Sequence, residues 1–163
     1  MPIKIDEIDH RILDQLQRDA SLSTADLAKQ VGLSMSPCWR RIRRLESLGV
    51  IERRVALLDR EKLGLEVTVF ASVKLSAHGI AALPEFEAAI EGLREVVACY
   101  VMTGEVDYLL QVVTRDIRSY ENFLRNELLQ LPTVREVHSQ ISLNELKHTT
   151  QLPLFQDGKR PVT

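Results

Sequence analysis

Residues 34–48 read SMSPCWRRIRRLESL. At about 100° per residue along a helix, Cys38, Ile42 and Leu45 fall within about 60° of one another, whereas Ser36, Arg40, Arg43 and Arg44 gather on the opposite side. Arg41 and Trp39 flank the apolar seam. Ser34 or Ser36 can cap this helix, and Pro37 suits its first turn, where an amide donor is not needed. Four arginines in five positions have chemical meaning, because a guanidinium fork matches phosphate oxygens and the O6/N7 edge of guanine. The plain alternative is a solvated basic face. The neighbouring elements choose between the two.

Upstream, the segment from Asp6 to Asp19 puts Ile8, Ile12, Leu13 and Leu16 at helical spacing, with acids in its first turn where the helix dipole favours them. Ser23 followed by Asp26 resembles a capping box, and the short helix through Leu27, Ala28 and Val31 stops at Gly32. Downstream, Gly49 ends the basic helix, and IERRVALLD (51–59) reads as a short extended segment or hairpin. Three helices followed by a small strand unit form a winged helix-turn-helix, whose second turn helix enters the major groove. Arg53 and Arg54 then lie on or near the wing beside backbone phosphates, or are ordinary exposed charges. Trp39 either stacks on a sugar or base edge or packs against the wing, and Cys38 belongs to the core.

REKLGLE (60–66) is the expected linker after a first domain spanning residues 1–59. Beyond it the period changes from 3.6 to 2: Val67, Val69, Ala71, Val73 and Leu75 alternate with Thr68, Phe70, Ser72 and Lys74, marking a strand with one buried face. A helix over Pro84–Leu93 follows, then strands over Val96–Met102 and Asp107–Thr114, joined by the tight turn TGEV. A second helix runs from Ile117 to Leu131, stopped by Pro132, and a last strand from Val134 to Leu146. The order βαββαβ gives an α+β chain whose second domain, 67–155, is ferredoxin-like: a four-stranded antiparallel sheet with both helices on one face. Val101, Leu109 and Ile141 are expected on the other face, and covering them calls for a second copy. A homodimer also suits palindromic DNA half-sites. Residues 156–163, QDGKRPVT, have nothing to bury and read as a mobile tail.

The net charge of −2 hides an asymmetry, since residues 1–65 hold twelve Lys/Arg against ten Asp/Glu and residues 66–163 hold nine against thirteen. Basic charge concentrated on one helix is the pattern a DNA reader needs. The N-terminus lacks the form of a secretory or transit segment, and no apolar run reaches the roughly 20 residues of a membrane span, so a cytoplasmic location with no membrane partner is expected. Cys38 and Cys99 lie too far apart for a paired motif, and His10, His78, His138 and His148 form no metal-ligand spacing. Neither a metal, a resident cofactor nor an enzyme's nucleophile is expected. Cys99 as a redox sensor lacks any sign of a lowered pKa.

Four stretches, DEIDHRILDQLQRDASLSTADLAKQVGLS (6–34), SPCWRRIRRLESLGVI (36–51), TGEVDYLL (103–110) and NELKHTTQLPL (144–154), together resemble the Lrp/AsnC, or feast/famine, transcriptional regulators in order and spacing. The resemblance implies a winged helix-turn-helix and a ferredoxin-like module that dimerises, with dimers assembling into octamers or related rings. It also implies an effector, usually an amino acid, held between dimers beside the turn of the two central strands. There, Gly104 permits close backbone approach, and Glu105 or Asp107 can meet an α-ammonium. Thr103, Tyr108, Gln140 and Ser142 are polar candidates, while Val101 and Ile141 line a side-chain pocket suited to leucine, methionine or another small apolar or sulfur-containing amino acid. The DNA-contact set is Ser34, Ser36, Pro37, Trp39, Arg40, Arg41, Arg43, Arg44, Arg53 and Arg54, with Ser36, Pro37, Arg40 and Arg43 in the groove and the remaining arginines on phosphates. The expected activity is sequence-specific, effector-responsive binding of double-stranded DNA. The alternative is an architectural protein that bends and wraps DNA with little sequence choice.

Overall fold

The computed structural model describes residues 4–76 and 83–154. Helices α1 (Glu7–Arg18), α2 (Thr24–Val31) and α3 (Met35–Ser47) come first, each started by a local signal. Asp6 caps α1 in a reciprocal box with Asp9, and the Ser23 hydroxyl accepts the Asp26 amide to start α2. Gly32, at φ +72°, turns the chain between α2 and α3 through the left-handed region, where a glycine carries no Cβ penalty. Ser34 is the N-cap of α3 by backbone geometry, although its side chain makes no capping bond. The apolar seams meet in one core formed by Ile12, Leu13, Leu27, Ala28, Val31, Cys38, Ile42 and Leu45.

Residues 52–59, expected to form the wing, carry no strand. A strand exists only where its amides and carbonyls find a ladder, and this stretch has none within the described chain. Val55, Leu57 and Leu58 stand exposed along it. The chain divides after Leu57, two residues before the expected boundary, and residues 58–66 go with the second unit. Within that stretch Gly64 turns at positive φ, and Arg60 donates to the carbonyls of Leu65 and Glu66 at 2.9 and 3.2 Å.

The second unit follows β1 (Val67–Leu75), α4 (Leu83–Gly92), β2 (Val96–Val101), β3 (Tyr108–Thr114), α5 (Ile117–Asn126) and β4 (Val134–Ile141). The sheet runs β2-β3-β1-β4 with antiparallel pairing throughout. Helix α5 ends earlier than expected and continues as a single 3₁₀ turn, Leu128–Gln130, which tucks Leu128 fully into the core. Strand β4 also stops short of Leu146. Among the described residues its only strand neighbour is β1, and Ser142 makes the final ladder bond to Thr68, so residues beyond have no ladder partner there.

Paired residues share a face. Val69, Ala71 and Val73 pair with Val112, Leu110 and Tyr108, and this face packs on Phe86, Ile90, Tyr120 and Phe123 of the helices. The register also puts Val101 opposite Tyr108 and Ile141 opposite Val69, so both face the helices rather than the open side where they were expected with Leu109. The cause is a break in register in each edge strand, between Val96 and Ala98 in the β2–β3 ladder and between Lys74 and Leu75 in the β1–β4 ladder. One extra residue reverses the parity of everything beyond it. The open face therefore carries Phe70, Tyr100, Leu109 and Val113 among polar neighbours.

From Lys147 the chain packs with the helix-turn-helix rather than with the sheet, although the second domain was expected to run to 155. Gln17 on α1 exchanges two hydrogen bonds with the Leu152 backbone, at 2.6 and 3.3 Å, and Leu154 packs against the three-helix core. The expected mobile tail, 156–163, lies outside the described residues.

Candidate functional site

The arginines of α3 divide into two pairs. Arg41 Nη1 donates to Asp9 at 2.8 Å and to Asp6 at 2.6 Å, while Arg44 Nη1 donates to the second Asp9 oxygen at 2.9 Å. Asp9 is fully buried. Its charge is met by two guanidiniums and by the Asp6 amide at 3.2 Å, so the start of α1 is pinned to α3. Arg44 also donates to the Lys4 carbonyl. Hydrogen bonding from the Asp9 amide, then from Arg41, holds the Asp6 carboxyl below its usual range. Arg41 and Arg44, expected on phosphates, are thus already committed to carboxylates.

Arg40 and Arg43 remain turned outward. Arg40 is exposed and its guanidinium has no partner among the described residues. Arg43 lies over the Trp39 ring, 5.5 Å from its centroid, and donates to Glu46 at 3.1 Å. Trp39 is half exposed and shares this face with Ser36. Pro37 and Arg40 border a cleft of about 510 Å³ whose other walls are Lys4, Asp6, Asp9, Arg41 and Arg44. Arg54 reaches Glu46 at 3.4 Å, and Arg53 is exposed beyond it.

In the second unit, the turn from Met102 to Asp107 places Gly104 at φ +112°, in open space. Thr103, Gly104 and Glu105 are exposed there. Asp107 is a staple of the fold: its carboxylate accepts the Leu75 amide at 2.7 Å, and its own amide donates to Val73 at 3.0 Å. Tyr108 points into the core, where its hydroxyl donates to Glu87 at 2.9 Å. Val101 and Tyr108 meet in a cleft of about 340 Å³ between β2 and α4, with Glu87, Ile90 and Cys99.

Gln140, Ile141 and Ser142 do not join them. They flank Thr68–Phe70, whereas the turn flanks Val73–Leu75. Four strand residues separate Val69 from Val73, about 13 Å, and β4 is the opposite edge strand from β2. Sequence spacing could not reveal this separation, because both stretches lie at ends of strands. Sequence reasoning also passed over Asp9, Glu46 and Glu87. For Asp9 a signal existed, in that acids three apart at the start of one helix match arginines three apart later in the chain.

Burial, followed by the hydrogen bond and charge of Glu87, pushes the Tyr108 phenol up to about 12. A folded-state pKa above the unfolded value of about 10 means that the contribution is intact below pH 10 and is lost as pH rises toward 12. A spectroscopic phenol titration of the folded protein should therefore show Tyr108, and with it the buried Tyr120, ionising above the ordinary phenol range. A set of three tyrosines all titrating together near pH 10 in folded protein would contradict the buried Tyr108–Glu87 pair. Partial burial and then Glu87 push the Cys99 thiol up too, which disfavours the thiolate a redox sensor needs. Among the described residues no three His, Cys, Asp or Glu gather as a metal site, and no helix is long and apolar enough to cross a membrane.

The AsnC-type helix-turn-helix domain matches residues 5–46 and the Lrp/AsnC ligand binding domain matches residues 68–152. The chain belongs to the Lrp/AsnC family. Among its Lrp/AsnC relatives, the glutamate uptake regulatory protein of Zymomonas mobilis is 41% identical over 151 residues, 93% of this chain and 92% of its own length. The crystal structure of an AsnC family transcriptional regulator from Agrobacterium tumefaciens superposes with a TM-score of 0.87 at 46% identity, covering 91% of this chain and 97% of that one. A Neisseria meningitidis transcriptional regulator in complex with L-Met gives 0.89 at 36% identity over 92% of this chain and 97% of that one. As an Lrp/AsnC protein, the chain is a DNA-binding transcriptional regulator with a ligand-binding domain. The AsnC-type match includes α3 and, on α1, the acids that anchor it.

Proposed function

We propose that two copies of this regulator associate through the open sheet face, insert α3 of each copy into successive major grooves of a palindromic site, and respond to an amino acid. The observation that carries the DNA part is the division of the arginines: Arg41 and Arg44 brace α3 against α1, and Arg40 and Arg43 face outward beside Ser36, Pro37 and Trp39. Arg40 and Arg43 read base edges, while Arg53 and Arg54 neutralise phosphates. A palindromic site matches two-fold symmetry, and the apolar part of the open face, Phe70, Tyr100, Leu109 and Val113, supports a second copy covering it. The experiment that tests the DNA part compares a duplex enriched by the full chain from a random-sequence pool with the unselected pool, at one salt concentration. Specific readers prefer their site by roughly 10³ or more, and equal binding would favour the architectural alternative.

The effector part rests on the Gly104 turn, whose exposed amides suit a carboxylate and whose Glu105 suits an α-ammonium. Gln140–Ser142 lie too far away in the same chain, so they complete this site only when contributed by another copy. The Neisseria relative's complex with L-Met supports an amino acid with a small apolar or sulfur-containing side chain. Thermal shift of the full chain against the twenty common amino acids should identify it. An effector present at 100 times its dissociation constant stabilises by about 2.7 kcal/mol, and silence from all of them would remove the amino-acid assignment.

A further inference from the structure

Glu46 is an acid on the face that the proposed function turns toward a polyanion, and taken alone it opposes binding. Its geometry gives it another role. One carboxylate oxygen accepts from Arg43 Nη1 at 3.1 Å, and the other faces Arg54 Nη2 at 3.4 Å. The same Arg43 lies over the Trp39 ring. An arginine side chain has four rotatable bonds and, when free, distributes its charge over many directions. Here the guanidinium carbon lies over the Trp39 ring, and Glu46 accepts a hydrogen bond from one of its nitrogens. Glu46 also ties α3 to the segment that follows it, through Arg54, so one carboxylate sets the position of two cations on different elements.

These contacts contribute little to folding. Arg43 is 64% exposed, Arg54 42% and Glu46 31%, and exposed ion pairs of this kind are worth little in water. What they restrict is the conformational freedom of the reader. A guanidinium that must meet O6 and N7 of one guanine with two hydrogen bonds loses rotamer entropy on docking, and a side chain already ordered in the free protein loses less. A carboxylate against Arg43 also occupies the donor that would otherwise take a phosphate, which biases the free edge toward the base.

We propose that Glu46 is a positioning residue for sequence reading: it preorders Arg43 and Arg54, lowering affinity for DNA in general while raising discrimination among sequences. The inference rests on the assignment of α3 as the reading helix.

The test measures two affinities for the full chain, on a duplex enriched from a random pool by the parent protein and on the unselected pool. Glu46→Ala should bind the unselected pool more tightly, having lost a negative charge, yet its preference for the enriched duplex should fall roughly tenfold. Glu46→Gln keeps one acceptor oxygen and should recover part of that preference. The thermal midpoints of both variants should stay close to the parent's, and a large fall would assign Glu46 a structural role instead and overturn the proposal. Equal tightening on both DNAs would show a merely repelling charge, and no change on either would show an idle one. Each of those results overturns the proposal. Arg43→Ala, measured on the same two DNAs, separates the two levels of inference. If its preference also stays at the parent value, Arg43 is not a reader, and that part of the proposed function fails with the inference. If Arg43→Ala loses preference while Glu46→Ala keeps it, only the positioning role is lost.

Discussion

Asp9→Ala is expected to remove about 2 kcal/mol from the stability of the helix-turn-helix unit, because it deletes the buried carboxylate that closes the α1 capping box and accepts from two partly exposed arginines. Asp9 is the only fully buried charge among the described residues, and it answers two arginines at once. Its loss leaves Arg44 with the Lys4 carbonyl and Arg41 with Asp6 alone. It also breaks the reciprocal cap of α1, since the Asp6 amide donates to the Asp9 carboxylate. Against a domain stability of about 5–15 kcal/mol, a loss of this size is a large fraction of the margin. The single tryptophan, Trp39, lies on α3, so denaturant unfolding followed by its fluorescence reports on this unit specifically. An unchanged midpoint would mean that water compensates both guanidiniums, contrary to the burial of the acid.

Asp6 adds a pH dependence to the same joint. Its carboxyl is held below its ordinary value by the Asp9 amide and then by Arg41. A depressed folded-state pKa contributes stability that is present above the unfolded value of 3.8 and is lost as pH falls through the folded pKa. Acid therefore loosens the α1–α3 joint from the Asp6 side, with Asp6→Asn as its limiting case.

Much of this arrangement is legible in the sequence because its signals are local. The seam of Cys38, Ile42 and Leu45 and the alternation from Val67 to Leu75 each follow from one helix or strand period, and both are buried as read except at the start of β1, where Val67 is half-buried and Thr68 is buried. The β1–α4–β2–β3–α5–β4 order follows from the same periodicities. Parity across a bulge is different. The register breaks beside Val96–Ala98 and Lys74–Leu75 carry no strong residue signal, yet each flips an edge strand, so Val101 and Ile141 turn toward the helices. The fate of individual arginines is equally non-local. A helical wheel sets Arg41 beside the seam but groups Arg44 with Arg40 and Arg43, and only the burial of Asp9, 32 and 35 positions away from its partners, separates anchors from readers. The missing wing strands have the same origin, since residues 52–59 hold apolar side chains in sequence but no ladder partner in the described chain.

That separation gives the second large effect. The double variant Arg40→Ala, Arg43→Ala should lose about 4 kcal/mol, roughly a thousandfold, of preference for an enriched duplex over random DNA, taking about 2 kcal/mol for each base-reading guanidinium. Its folding should be close to that of the parent, because Arg40 has no partner among the described residues and Arg43 has only exposed ones. Arg53→Ala is the contrasting case: a phosphate contact weakens all sequences alike and flattens the salt slope by about one. Arg41→Ala differs from both, since it removes a brace that reaches Asp6 and Asp9, and its loss of DNA binding should track its loss of stability. Affinity measured against salt concentration on both DNAs, beside the unfolding midpoint of each variant, distinguishes the three roles. If the double variant kept its preference while Arg41→Ala lost it without unfolding, the assignment would invert: the arginines facing α1 would be the readers, and the outward pair a solvated surface.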